Sequence, residues 1–76
     1  MGWYSLEEKF PDIMGELKKF LREHPTNMRI TNGKAKKLRG KLQGIYQYDV
    51  SWSDRVRYEV EKRENVVKVL YAGPHP

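Results

Sequence analysis

The apolar residues of this 76-residue chain change their spacing once, near Leu42, and no other feature constrains the fold as much. From Asp12 to Glu23, the residues Ile13, Leu17, Phe20 and Leu21 fall at i, i+4, i+7 and i+8. That is the period of a helix with one buried stripe, and Glu16, Lys18, Lys19, Arg22 and Glu23 occupy its other side. Ser5 and Glu8 have capping-box spacing, which predicts a helix start at Ser5. Pro11 disfavours helical geometry at Phe10, so the helical stretch over residues 5–24 is kinked or split into a pair. His24-Pro25 ends it, and Gly15 within it costs about 1 kcal/mol relative to alanine.

Beyond Leu42 the period is 2. Tyr46, Tyr48 and Val50 alternate with Gln47, Asp49 and Ser51, and Val56, Tyr58 and Val60 alternate with Arg55, Arg57, Glu59 and Glu61. These are two half-buried strands, with turns at Ser51–Asp54 and Lys62–Asn65. A third strand follows from Val66 to Ala72, more apolar on both faces, which predicts a central or well-covered position. Helical residues first and short-connected strands afterwards imply an α+β fold: a helix or kinked helix pair on a three-stranded antiparallel meander spanning residues 42–73. Residues 25–41 read as a loop, with a short extended piece at Met28–Ile30.

Length bounds the rest. One domain over residues 1–76 is expected, burying about 60% of its unfolded surface, and large multi-layer enzymes are excluded. With no cysteine there is neither a disulfide framework nor a thiolate zinc site, and two distant histidines supply no ligand spacing. Neither metal nor cofactor is expected. The glycines at 33, 40 and 44 precede strands, so no phosphate loop opens a helix. The longest apolar run is interrupted by Lys68, and no basic segment followed by an apolar stretch appears at the start, so a cytoplasmic protein that does not engage a membrane is expected.

The formal net charge of +5 is local. Residues 1–23 hold five acids and four bases, and residues 49–76 hold five of each. His24 to Tyr48 contains no acid but six bases: Arg29, Lys34, Lys36, Lys37, Arg39 and Lys41. Such a segment attracts polyanions, RNA among them, although a solvated lysine loop that only aids solubility has the same composition. The tyrosines at 46, 48 and 58 share a face with Val50, Val56 and Val60, so core packing is favoured over base stacking. The opposite face presents Gln47, Asp49, Arg55, Arg57 and Glu59, where cross-strand ion pairs are worth at most about 1 kcal/mol each.

The ordered set Lys37-Leu38-Arg39-Gly40, Gly44-Ile45-Tyr46, Asp54-Arg55-Val56-Arg57-Tyr58-Glu59-Val60, Val67 to Leu70 and Gly73-Pro74-His75 resembles the RelE/ParE toxin superfamily over residues 34–75. The resemblance implies a RelE-like fold and a small antitoxin partner. It also implies either cleavage of translated mRNA at the ribosome or, in the ParE branch, inhibition of DNA gyrase. Arg55 stands where the endonuclease branch places a phosphate-contacting arginine, and His75 near a C-terminal catalytic histidine or arginine. Gln47 and Asp49 replace lysines, Lys36 lies where some members have a glutamate base, and the terminal tyrosine has no counterpart. The usual first strand is missing or reduced to Gly2-Trp3-Tyr4, as in a chain shortened at its N-terminus.

Transphosphorylation of RNA needs a base, stabilisation of the phosphorane charge and an acid. Arg55 suits the second role, since a guanidinium is always charged and grips phosphate through paired hydrogen bonds. His75 is the histidine placed for proton transfer, His24 being suited to a helix end. Asp49 is a third catalytic candidate, but a weak base beside Arg55 or Arg57. The six bases of residues 24–48, together with Arg57, form the candidate RNA-binding set. Against endonuclease activity stand two alternatives: a non-enzymatic binder of gyrase, RNA or antitoxin, and an unrelated basic α+β interaction domain.

Overall fold

Phe10 is where the helical segment breaks. Its backbone (φ −132°, ψ 65°) is non-helical, as the following proline requires. In the computed structural model, which describes residues 2–74, two helices result: α1 (Trp3–Lys9) and α2 (Pro11–Glu23). α1 starts two residues before the capping-box position, from Gly2, without a side-chain cap. Trp3 packs against the core and Leu6 is fully buried, and that burial outweighs a cap worth about 1 kcal/mol. Trp3 and Tyr4 are therefore helical rather than the remnant of a strand. α2 buries Met14, Leu17 and Phe20, so Met14 joins the expected stripe while Ile13 and Leu21 flank it.

The strands are β1 (Ala35–Lys37), β2 (Tyr46–Asp49), β3 (Asp54–Glu61) and β4 (Val66–Pro74), in the order β1-β2-β3-β4 with every pair antiparallel. Among the described residues the fold is α+β with four strands, one more than expected. The additional strand lies in the segment read as a loop, which also contains 3-10 turns at Met28–Thr31 and Gly40–Leu42. Met28–Ile30 is thus helical in character rather than extended. Three residues, two of them lysine, show no alternation to read. β1 exists because its pairing with β2 sets Ala35 opposite Tyr48 and buries it.

β4 is an edge strand, not a central one, and Val66, Val69 and Leu70 are 44–46% exposed. Continuous apolarity suggests burial on both faces, but here it accompanies a bulge. Tyr58 pairs with Val69 and Arg57 with Tyr71, leaving Leu70 extra.

Leu6, Met14, Leu17 and Phe20 meet Ala35, Tyr48, Val50, Val56 and Tyr58 between the helices and the sheet. The tyrosines belong to this seam. Tyr46 stacks on Tyr58 with centroids 5.3 Å apart, Phe20 meets Tyr48 at 5.9 Å, and the Tyr58 hydroxyl donates to the Pro25 carbonyl at 2.7 Å. Burial pushes the Tyr58 hydroxyl far above its ordinary pKa, helped by its tyrosine neighbours. Tyr48 is raised by burial and then by the charge of Glu16. Among the described residues no helix is long and apolar enough to cross a membrane.

Candidate nucleic-acid interface

With the helices on one side, the polar alternates of β1–β3 form an open face on the other. Residues opposite one another in antiparallel strands share a face, so register places Lys36, Gln47, Arg57 and Tyr71 in one row across all four strands. The adjoining row carries Asp49, Arg55 and Gly73, and the glycine leaves the β4 side of Arg55 without a side chain.

Gln47 joins the rows. Flanked by Lys36 and Arg57, it is only 5% exposed, and a buried amide must find partners for both of its ends. Its carbonyl oxygen accepts from Arg57 Nε at 3.0 Å, and its amide nitrogen donates to Asp49 Oδ1 at 3.1 Å. Asp49 is also 3.0 Å from Arg55 Nε and 3.8 Å from Lys36 Nζ. The Arg55 contact is an ion pair by distance, but its N–H is too poorly aligned to be a hydrogen bond, so Nε remains buried without a hydrogen-bond partner. Two cations, Arg55 and Lys36, thus contact one carboxylate, and a third, Arg57, is linked to it through Gln47. Lys36, Arg55, Arg57 and Asp49 together carry net positive charge, which favours an anion at this corner.

The geometry alters the expected roles. Arg55 is 14% exposed in its side chain, and its Nη1 donates to the Ser51 carbonyl at 2.6 Å and the Asp54 carbonyl at 3.2 Å. The paired grip expected of it is therefore partly spent within the protein; Nη2 has no hydrogen-bond partner among the described residues. Lys36, 55% exposed in its side chain, is more accessible than Arg55, and Arg57 is half-buried. Asp49 accepts from Gln47 and pairs with both Arg55 and Lys36. His75 lies outside the described residues.

The basic segment does not form one surface. Lys34 pairs with Glu16 of α2 at 3.3 Å, Lys36 faces the open side, and Lys37 lies 5.9 Å over the Tyr46 ring on the helix side. Arg29, Arg39 and Lys41 are exposed in the 3-10 regions and their flanks, and form no ion pair among the described residues. Strand alternation separates what the linear run places side by side.

Two features of this face escaped the sequence reading. Tyr71 joins the row beside Arg57 because the bulge at Leu70 shifts the alternation; strict period 2 would group it with Val67 and Val69. Its hydroxyl donates to the Pro74 carbonyl. The second feature is the side-chain bonding inside the turn expected at Ser51–Asp54. The Ser51 hydroxyl donates to Asp54 Oδ2 at 2.9 Å and accepts from the Asp54 N–H at 3.1 Å, and Ser53 adds a 3.3 Å bond to the same carboxylate oxygen. This turn carries Trp52, 90% exposed. The Ser-x-x-Asp spacing was the available signal.

Comparison of the chain with protein-family models, curated proteins and solved structures gives no match.

Proposed function

We propose that this protein acts on RNA through the open face of its sheet, as a RelE-like toxin that cuts translated mRNA at the ribosome and is held in check by a small antitoxin. The observation that carries the reading is the convergence of Lys36, Arg55 and Arg57 around Asp49 and Gln47 on an uncovered sheet face. Backed by two N-terminal helices on an antiparallel sheet, the arrangement is consistent with the fold that the resemblance implies. The ribosomal site of action sets the cytoplasm as its compartment. Arg55 and Lys36 would neutralise phosphate charge, and His75 would move the proton.

A second reading is favoured by one specific contact. Asp49 and Arg55 engage each other, which suits a catalytically degenerate binder of RNA or antitoxin, or a ParE-like gyrase inhibitor. Expression in bacteria decides between them. The endonuclease reading expects translation arrest with mRNA cut inside translated codons, and relief of arrest by both Arg55→Ala and His75→Ala in folded protein. Arrest with intact mRNA would favour the binder, and inhibition of supercoiling by purified gyrase would identify the ParE-like branch.

A further inference from the structure

We infer that Trp52 is a stacking platform for an unpaired nucleobase next to the phosphate-binding corner; this rests on the RNA reading above. A tryptophan left 90% exposed gives up burial worth about 1.5–3 kcal/mol for large apolar side chains, and the described residues leave its ring uncovered. Yet its backbone is not loose. Ser51, Ser53 and Asp54 bind one another on either side of it, and the Asp54 carbonyl accepts from the N–H groups of Val50 at 3.0 Å and Ser51 at 3.3 Å.

The decisive link is Arg55. Its Nη1 donates at 2.6 Å to the carbonyl of Ser51, which belongs to the peptide unit leading into Trp52. One guanidinium therefore ties the turn that presents the indole to Asp49 and, through it, to Lys36. An exposed aromatic ring on a turn anchored to a cationic corner fits a ligand with a flat apolar ring joined to an anion. A nucleotide of a single strand has that chemistry, and sequence-tolerant binders combine stacking and charge in this way. The turn's other side chains are two serines and a buried aspartate, so the turn itself gives the indole no apolar rim of the kind that surrounds a protein–protein anchor. The turn also carries no second exposed apolar side chain, as a membrane-seeking tip would.

The test uses the whole chain, a short single-stranded RNA oligonucleotide and its abasic counterpart with the same phosphates. Because the chain has two tryptophans, Trp3→Phe isolates the emission of Trp52, and the difference between wild type and Trp52→Phe gives the same signal without altering the helix. RNA is expected to quench Trp52. Trp52→Ala is expected to weaken RNA binding about 5- to 150-fold, with the salt slope unchanged and thermal unfolding unaffected. The abasic strand should bind wild type and Trp52→Ala equally. Equal RNA affinity of the two proteins would overturn the stacking role while leaving RNA binding intact. Absence of RNA binding by wild type at low salt would overturn both readings, and quenching by anionic vesicles but not by RNA would assign the indole to a membrane surface instead.

Discussion

Tyr58 joins two layers with one side chain. Its ring is fully buried against Tyr46, and its hydroxyl reaches a carbonyl 33 residues away in sequence. Tyr58→Phe keeps the ring and loses the bond to Pro25, which should lower stability by about 0.5–1.5 kcal/mol, seen as a reduced urea midpoint at unchanged slope. The same residue predicts alkaline behaviour. The folded-state pKa values of Tyr48 and Tyr58 are raised above the unfolded value of about 10, so their contribution is intact below that pH. Above it the unfolded chain releases protons that the folded chain keeps, and stability falls. The tyrosinate absorbance of these two rings, resolved by comparing wild type with Tyr48→Phe and Tyr58→Phe, should appear together with loss of circular dichroism; ionisation of the buried tyrosines in folded protein would contradict this. On the open face, Asp49→Asn removes the charge that Arg55 and Lys36 share. Fluorescence anisotropy should then show several-fold tighter binding to single-stranded RNA at low salt, whereas weaker binding would give the carboxylate a direct part in recognition.

α2 illustrates how an element is set by its own residues. Its period of 3.6 is plain in the chain, and its one anomaly, Gly15, is exposed with nothing within 4 Å of where a Cβ would stand. Gly15→Ala is therefore expected to stabilise by about 0.5–1 kcal/mol, raising the melting temperature by roughly 2–8 °C, and a lower melting temperature would mean that this helix face is covered. β2 and β3 were equally legible, since Tyr48, Val56 and Tyr58 alternate with polar residues and are buried as alternation requires. The edges of the sheet were legible only in part, since β4 was expected as a strand from Val66 but not at an edge, and β1 was not expected. β1 is too short to carry a pattern and exists through its partner, and β4 hides a bulge that no count of alternate positions reveals. The site follows the same division: Asp49, Arg55 and Arg57 could be placed on one face from β2 and β3 alone, whereas Tyr71 depended on the bulge and the hub role of Gln47 on cross-strand register. Local periodicity reports which face a residue takes, and only pairing reports whom it meets.

For the whole molecule, the surplus charge is concentrated in the chain but divided in space. Lys34 serves α2, Lys37 lies over Tyr46, and Lys36 alone of the three turns to the open face. A single strand of RNA held there meets about three cations, Lys36, Arg55 and Arg57, for a slope of log K against log salt near −2; engagement of the entire basic segment would give about −4. Titrations across a range of salt concentrations distinguish these values, and a flat response would exclude an electrostatic site. The strand order has a consequence of a different kind, for the path by which the chain folds. Every strand pairs with its neighbour in sequence, so the sheet grows by short closures, hairpin upon hairpin, without a crossover. The bond between Tyr58 and Pro25 closes a far longer loop and costs more chain entropy. Refolding is thus expected to assemble the row from Lys36 to Tyr71 before the helices lock onto the opposite side, making the polar face the early part of the molecule and the aromatic seam the late one.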